Sequence, residues 1–435
     1  MSSSSIRVLT FNCWGLKYVA KKRVERIRAI ASALAQSDHD IIALQELWVY
    51  SDFEHVRASV EKRLPYAKFF YSGALGAGLA IFSCFPILTA SIYPYSLNGH
   101  PVDVGAGDWM VGKAAASVLI QHPVLGEVEV FNTHLFAKGA EMAPEHIRAH
   151  RLVNAWEFAK LARNSASLGR YVIALGDFNG IPQSLPMKIV RDHAELTDAW
   201  LQSHAAPTEV STSGLTPKTA IERFGITADS PLNSYSAGKD LEPFVKKTFG
   251  KRLDYVFFRQ PVERYMSERP TLKCSHSQVV FTDRVPDRTF SFSDHFGLEA
   301  TIDIVAPYES EPTARTPRSS RLSPLTDEII ATFIQALTVY YRLTQSRSRI
   351  ELTIFATSVV VLIGLCVSSP WFTASWITPI LVLVTILLAW LGTTMLYAGF
   401  IYGNWERRAL MNVIEELELI KRANSGRLSP STSLS

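Results

Sequence analysis

Six places along the chain end a short apolar run with a ligand- or acid/base-type side chain. They are Asn12 in Leu-Thr-Phe-Asn-Cys-Trp-Gly, Glu46 in Ile-Ile-Ala-Leu-Gln-Glu, His134 in Phe-Asn-Thr-His-Leu, Asp177 and Asn179 in Gly-Asp-Phe-Asn, Asp254 in Arg-Leu-Asp-Tyr-Val, and Asp294 with His295 in Ser-Asp-His-Phe-Gly. A strand end is rigid and can hold such a side chain in a cleft. Taken singly, each has a plain structural reading: Asp177 as a turn residue, His134 as a satisfied imidazole, Glu46 as a helix-start charge. Together they form an all-oxygen and imidazole set with no thiolate. Glu46, Asp177 and Asp294 are hard ligands of the kind Mg²⁺ takes, with Mn²⁺ as a substitute. A histidine titrates near neutrality, as a general base must.

Two other spacings are set aside. Gly107–Ala114 is close to the phosphate loop Gly-x4-Gly-Lys-Ser/Thr, but Ala114 lacks the hydroxyl and the run that follows reads as a strand, so nucleotide binding is rejected. His146 and His150 are four apart without the glutamate of a zinc protease between them, and they read as an ordinary, partly exposed helix face.

These residues need a scaffold. The 435 residues are 47% hydrophobic and 19% charged, which excludes global disorder. Four cysteines exclude a disulfide scaffold, and a net charge of +4 is too mild to announce a nucleic-acid partner. Residues 6–304 alternate β-type runs with amphipathic helices. Strands are expected at 7–11, 41–44, 79–83, 115–120, 127–133, 171–175, 253–258 and 298–304, and helices at 21–35 and 145–162. Layered α+β packing around two sheets follows.

The C-terminal third is different. From Leu352 to Trp405, 54 residues contain no Asp, Glu, Lys, Arg or His, enough for two membrane crossings of about 20 residues each, with a turn at Ser368–Trp371. Arginines at 342, 347 and 349 precede the gap, and Arg407, Arg408, Lys421 and Arg422 follow it, so both flanks should face the cytosol. The expected organisation is a catalytic domain at 1–305, a linker at 306–325, a juxtamembrane helix at 326–350, two transmembrane helices at 351–405 and a cytosolic tail at 406–435, without structure after Arg422. The catalytic domain would face the cytosol from the endoplasmic reticulum or another internal membrane.

In chain order, Asn12, Glu46, Gly176 to Asn179, Asp254 and Ser293 to His295 resemble the endonuclease/exonuclease/phosphatase superfamily, whose fold is a deoxyribonuclease-like sandwich of two packed β-sheets flanked by helices. Asn-Cys-Trp-Gly-Leu at 12–16 and the C-terminal double span are similar to the neutral sphingomyelinases and the fungal inositol phosphosphingolipid phospholipases C. The resemblance implies an α+β sandwich plus a two-helix transmembrane hairpin. It also implies Mg²⁺-dependent hydrolysis of phosphosphingolipids to ceramide and a phosphorylated head group. Glu46 would hold the metal, helped by Asn12 and oriented by Asp294. His295 would be the general base, oriented by Asp254. Asp177 and Asn179 would position water and phosphate, and His134 would stabilise or protonate the leaving oxygen. Asp108 and Lys113 would form a regulatory loop linked to membrane lipid, with anionic phospholipid as the activator. The competing readings are another phosphodiesterase of the same fold, a nuclease or a lysophospholipid phospholipase C, and an inactive membrane-tethered binding module. No signature in the loops at 91–104 and 208–240 separates choline from inositol.

Overall fold

A computed structural model of the chain describes residues 5–105, 107–139, 141–204, 214–262, 269–306 and 325–428, with side chains to residue 424. The segment at 307–324, expected as a linker, lies outside these. The chain forms two compact units. One comprises Met1–Tyr95, Val111–Ala137 and Asn154–Leu325; the other comprises Ser96–Met110, Lys138–Val153 and Thr326–Ser435.

The first unit is a two-sheet sandwich. One sheet is built from β1 (Ser5–Asn12), β2 (Ile41–Gln45), β3 (Tyr66–Phe70), β4 (Leu79–Ser83), β11 (Thr271–Val280) and β12 (Gly297–Val305), in the order β11-β12-β1-β2-β4-β3. The other holds β5 (Ile87–Pro94), β6 (Ala114–His122), β7 (Gly126–His134), β8 (Tyr171–Asp177), β9 (Thr197–Asp198) and β10 (Asp254–Arg259), in the order β5-β6-β7-β8-β10-β9. Each sheet has one parallel pair at its centre, β1 with β2 and β7 with β8, and every other pairing is antiparallel. A parallel pair needs a crossover. Helix α1 (Arg23–Ala35) supplies it in the first sheet and α3 (Ala149–Ser167) in the second.

The central strands are covered on both faces and read as continuous apolar runs. Ile6, Val8, Ile41 and Ala43 of one sheet share a core with Val118, Val130, Ile173, Leu175 and Val256 of the other. The opposite faces of β1 and β2, through Leu9, Phe11, Ile42 and Leu44, pack under Ile27, Ile30 and Leu34 of α1 and Phe53 and Val56 of α2 (Tyr50–Val60). All eight expected strands are present. The pattern missed β3, β5, β9 and β11, which are the four edge strands of the two sheets; β5 is exposed or half-buried throughout and β11 alternates exposed with buried residues over most of its length.

The second unit is helical. Its first long helix runs unbroken from Asp327 to Ser368, so the expected juxtamembrane helix and first span are one element. Thr326 caps it, its hydroxyl accepting from Ile329 N at 3.3 Å. After a turn through Ser369–Trp371, a second helix runs from Ile377 to Leu396, loosens into a π-turn at Tyr397–Tyr402 and continues as Gly403–Leu428. Both are long and apolar enough to cross a membrane. The helix continues past Arg422 to Leu428, where a loss of structure was expected; the rest of that tail, 429–435, lies outside the described residues. Before Arg422, Leu410, Val413, Ile414 and Leu417 recur at helical spacing and are buried, which gives this helix an apolar face.

This unit also has a buried polar cluster. His150 receives Gly99 N on Nδ1 at 2.8 Å and donates from Nε2 to Glu406 Oε1 at 2.8 Å. Glu406 is fully buried and also pairs with Arg347 and with the Tyr340 hydroxyl, the latter at 3.3 Å. His150 is therefore buried, not the partly exposed face its spacing suggested.

Candidate active site

Strand register places most of the acid/base set. In the second sheet His134, Asp177 and Asp254 are successive partners across β7, β8 and β10. In the first sheet Asn12 pairs with Gln45, so Glu46 is the next residue beyond the ladder. The carboxyl ends of both parallel pairs thus bring these side chains to one place. Gly176 permits the close approach of β8 to β7, since a Cβ there would stand 2.2 Å from Thr133 O.

Glu46 and Asn179 sit at φ 55° and 49°, and Trp14 at 45°. Left-handed backbone at three non-glycine residues around one cleft is strain of the kind functional sites hold. Glu46 is pinned by Gly15, whose N–H donates to Glu46 O at 2.9 Å and whose Cβ, if present, would stand 2.5 Å from that oxygen.

The Asn12 amide nitrogen donates to Glu46 Oε1 at 3.1 Å and to Asp177 Oδ2 at 3.0 Å, joining the sheets, while its oxygen accepts from Trp14 N at 3.0 Å. Asp177 Oδ1 accepts from Asn179 N at 2.9 Å, and the Asn179 side chain donates to Leu135 O at 3.0 Å. His295 Nδ1 bonds Asp254 Oδ2 at 2.9 Å, and its Nε2 faces Asp177 Oδ2 at 3.9 Å. Asp294 lies beside Glu46, whose pKa it raises.

Lys113 stands in this group. Its buried ammonium donates to His134 Nε2 and to Leu135 O, each at 3.0 Å, and His134 Nε2 is 3.5 Å from Asp177 Oδ2. The resemblance implied that Lys113 is part of a lipid-linked loop with Asp108. Asp108 lies in the turn Gly107–Met110 of the helical unit. Ala114, next to Lys113, opens β6 rather than a helix, in keeping with the rejection of a phosphate loop.

The electrostatics divide the site. Burial, then Lys113, push His134 down to about 3 against the pull of Asp177, so it is neutral near pH 7. Because Lys113 donates to Nε2, the His134 proton is on Nδ1. Burial would raise Asp177, but His295, His134 and Lys113 outweigh it and hold it low. Burial raises Asp254. His295 is pulled the other way: burial favours its neutral form, yet Asp254, Asp177 and Asp294 hold its pKa well above the ordinary value.

The donor set fits a divalent cation. Glu46 is raised first by burial and then by Asp294, and two carboxylates repelling in a buried site are relieved by a hard cation. Asn12 turns its nitrogen, not its oxygen, toward Glu46 and holds that carboxylate in place. Ligand atoms of Asp177, Asp254 and His295 also lie within 4.8 Å of one another, though the Asp254–His295 hydrogen bond engages two of those residues with each other.

Two buried groups escaped the sequence reading. Gln45 Nε2 donates to Asn132 Oδ1 at 2.7 Å, and Asn132 Nδ2 donates to Leu44 O and Ala80 O at 2.9 and 3.0 Å, a clamp between the sheets beneath Glu46 and His134. Arg26 is fully buried and donates to the carbonyls of Cys13, Trp14 and Phe292 at 2.8, 2.6 and 3.1 Å. It draws the chain after β1 toward the chain before Asp294. Its signal in the sequence was an arginine four residues before Ile30 on the apolar face of α1.

A sandwich with this constellation at adjoining strand ends is that of a phosphodiester hydrolase, and the chain belongs to the Endonuclease/Exonuclease/phosphatase family, whose sequence profile matches residues 9–295. Within it, the chain is a phosphoric diester hydrolase similar to the inositol phosphosphingolipids phospholipase C of Schizosaccharomyces pombe, with 35% identity over 95% of this chain and 93% of that protein. It is similar also to human sphingomyelin phosphodiesterase 2, 30% identical over 69% of this chain and 65% of that one. Among solved structures, sphingomyelinase C from Streptomyces griseocarneus aligns with a TM-score of 0.46 and 19% identity, over 68% of this chain and 99% of that one.

Proposed function

We propose that the chain is a Mg²⁺-dependent phospholipase C that cleaves phosphosphingolipids at a membrane surface, releasing ceramide and a phosphorylated head group. The observation that carries the reading is His295, held by Asp254 at 2.9 Å with its other nitrogen turned toward Asp177. Similarity to the yeast phospholipase runs over 95% of the chain, apolar helices included, which favours a lipid over a nucleic acid.

In the reaction His295 Nε2 takes a proton from the attacking water, and Asp254 stabilises the imidazolium that forms. Asp177 and Asn179 orient the water and phosphate. Lys113 faces the phosphoryl oxygens and, with neutral His134, stabilises the departing ceramide oxygen, to which the proton that His295 took from water returns through solvent as its bond to phosphorus breaks. A divalent cation held by Glu46 and Asp294 supplies, when bound, polarisation of the phosphate and neutralises the carboxylates that keep a proton on His295. Both helices cross the membrane in this reading, with the sandwich and both termini on the cytosolic side of an internal membrane.

The test is incubation of detergent-solubilised protein with sphingomyelin, inositol phosphoceramide, phosphatidylcholine and abasic DNA, with products identified by mass spectrometry. Ceramide should appear from one or both sphingolipids, vanish with EDTA and return with Mg²⁺. Cleavage of DNA alone, or full activity in chelator, would overturn the reading.

A further inference from the structure

The sandwich exposes its apolar side chains unevenly. Among its described residues the four most exposed large apolar side chains are Tyr18 at 92%, Leu168 at 67%, Val19 at 66% and Tyr71 at 63%. Three of them lie at one edge. Tyr18 and Val19 follow β1, six and seven residues beyond Asn12. Tyr71 follows β3, which runs parallel to β2 because both are antiparallel to β4. The loops after β1, β2 and β3 therefore leave the sheet at the same end, the one that carries Asn12 and Glu46. Leu75, half-exposed, lies on the loop with Tyr71.

The Leu16–Lys22 segment is a built turn. Leu16 O accepts from Val19 N at 3.3 Å and Ala20 N at 3.0 Å, and Tyr18 is held at φ 71°, a conformation unusual for a tyrosine. The backbone thus turns an aromatic and an aliphatic side chain outward together, where scattered single apolar residues would be unremarkable. Lys17, Lys21 and Lys22 flank them, all exposed, and the Lys17 ammonium lies 5.0 Å from the centre of the Tyr18 ring. Exposed Glu25 pairs with both Lys22 at 3.6 Å and Arg288 at 3.8 Å. An amphipathic aromatic tip with basic flanks is suited to the headgroup layer of an anionic bilayer.

We propose that the turn Leu16–Lys22 is a membrane-interfacial contact: Tyr18 and Val19 enter the headgroup layer of an anionic lipid surface, the lysines meet its charge, and the mouth of the active site is held at the depth of the scissile phosphate. The consequence for turnover rests on the phosphosphingolipid reading; the contact itself does not.

The experiment uses the full chain in lipid nanodiscs of phosphatidylcholine with or without phosphatidylserine. Val19→Cys in a Cys366→Ser background, carrying an environment-sensitive fluorophore, should be quenched by shallow nitroxide lipids and shielded from aqueous iodide on the anionic discs. Lys17→Gln, Lys21→Gln and Lys22→Gln together should reduce that insertion by about fivefold per lysine removed. Tyr18→Ser with Val19→Ser should lower turnover of bilayer-embedded substrate about tenfold, and turnover of a monomeric short-chain substrate less than twofold. A label open to iodide and unmoved by nitroxide lipid on both discs would overturn the contact, as would wild-type turnover on bilayers by the double serine variant. Equal insertion on neutral and anionic discs would overturn the role of the lysines. If neither form of sphingolipid is hydrolysed, the substrate assignment falls, and the label still decides the contact.

Discussion

Each unit buries a histidine against a carboxylate, yet the two clusters are built to opposite ends. In the helical unit both His150 nitrogens are engaged, one receiving Gly99 N–H and the other donating to Glu406, and that carboxylate also meets Arg347 and the Tyr340 hydroxyl. Charges and hydrogen bonds close on themselves. In the sandwich His295 spends one nitrogen on Asp254 and turns the other toward Asp177 at 3.9 Å, beyond hydrogen-bond distance. Among the described residues, the four carboxylates Glu46, Asp177, Asp254 and Asp294 face His295 and Lys113, with Arg26 near Glu46 and Asp294 but donating to three carbonyls. A closed cluster holds a structure together, whereas an open one with surplus negative charge waits for a cation, a proton or a phosphate. The acid and imidazole types are the same, and only the accounting of partners separates them.

The largest effect should come from breaking the open cluster. His295→Ala is expected to lower kcat by about 10² to 10⁴ while leaving the melting temperature of the sandwich unchanged. The check is turnover on mixed micelles beside a thermal melt; a folded His150→Ala that lost as much kcat would erase the distinction between the clusters.

The closed cluster should fail in stability instead. Glu406→Gln removes the nearer of the two carboxylates that Arg347 meets, leaving Glu351 at 3.9 Å, and is expected to destabilise the helical unit by about 3 kcal/mol, read from denaturation in detergent. Turnover of the fraction that remains folded should fall less than tenfold. A melt identical to wild type would show that the pair contributes nothing.

The smallest effect sharpens the comparison with a third histidine, one packed on an aromatic ring beside cations. His193 lies 4.2 Å from the Trp156 ring, and burial, then Arg163, Lys160 and Arg259, push it down to about 3. Its folded pKa is below the unfolded value of 6.5, so between those two values the unfolded chain binds the extra proton. Its contribution is present above pH 6.5 and is lost as pH falls toward 3, at up to about 1.4 kcal/mol per pH unit. His193→Phe should flatten that part of the stability–pH curve, and an unchanged acid limb would assign the slope to other groups.

Some of this was written locally. Central strands buried on both faces must be apolar throughout, so their positions could be read from the chain, and the acid/base residues at their ends could be read with them. The 54-residue gap in charge marked the two long apolar helices in the same way, as a continuous pattern along the chain. Edge strands such as β5 and β11 keep polar residues on their open faces and left no comparable pattern.

What the chain alone determined, then, is which residue types are present and which short elements carry them. Register and cross-sheet contact decided the rest. Only pairing across β7, β8 and β10 puts His134, Asp177 and Asp254 in one row, and only the packed sheets put Asn12 against Asp177, 165 residues away. Lys113 was expected beside Asp108 in a lipid-linked loop, whereas the fold set its ammonium against His134, and Gln45 read as part of an apolar run until Asn132 met it from the other sheet. The physical reason is that a hydrogen bond between residues far apart in sequence leaves no periodicity in either segment. Its partners exist only once the sheets have closed.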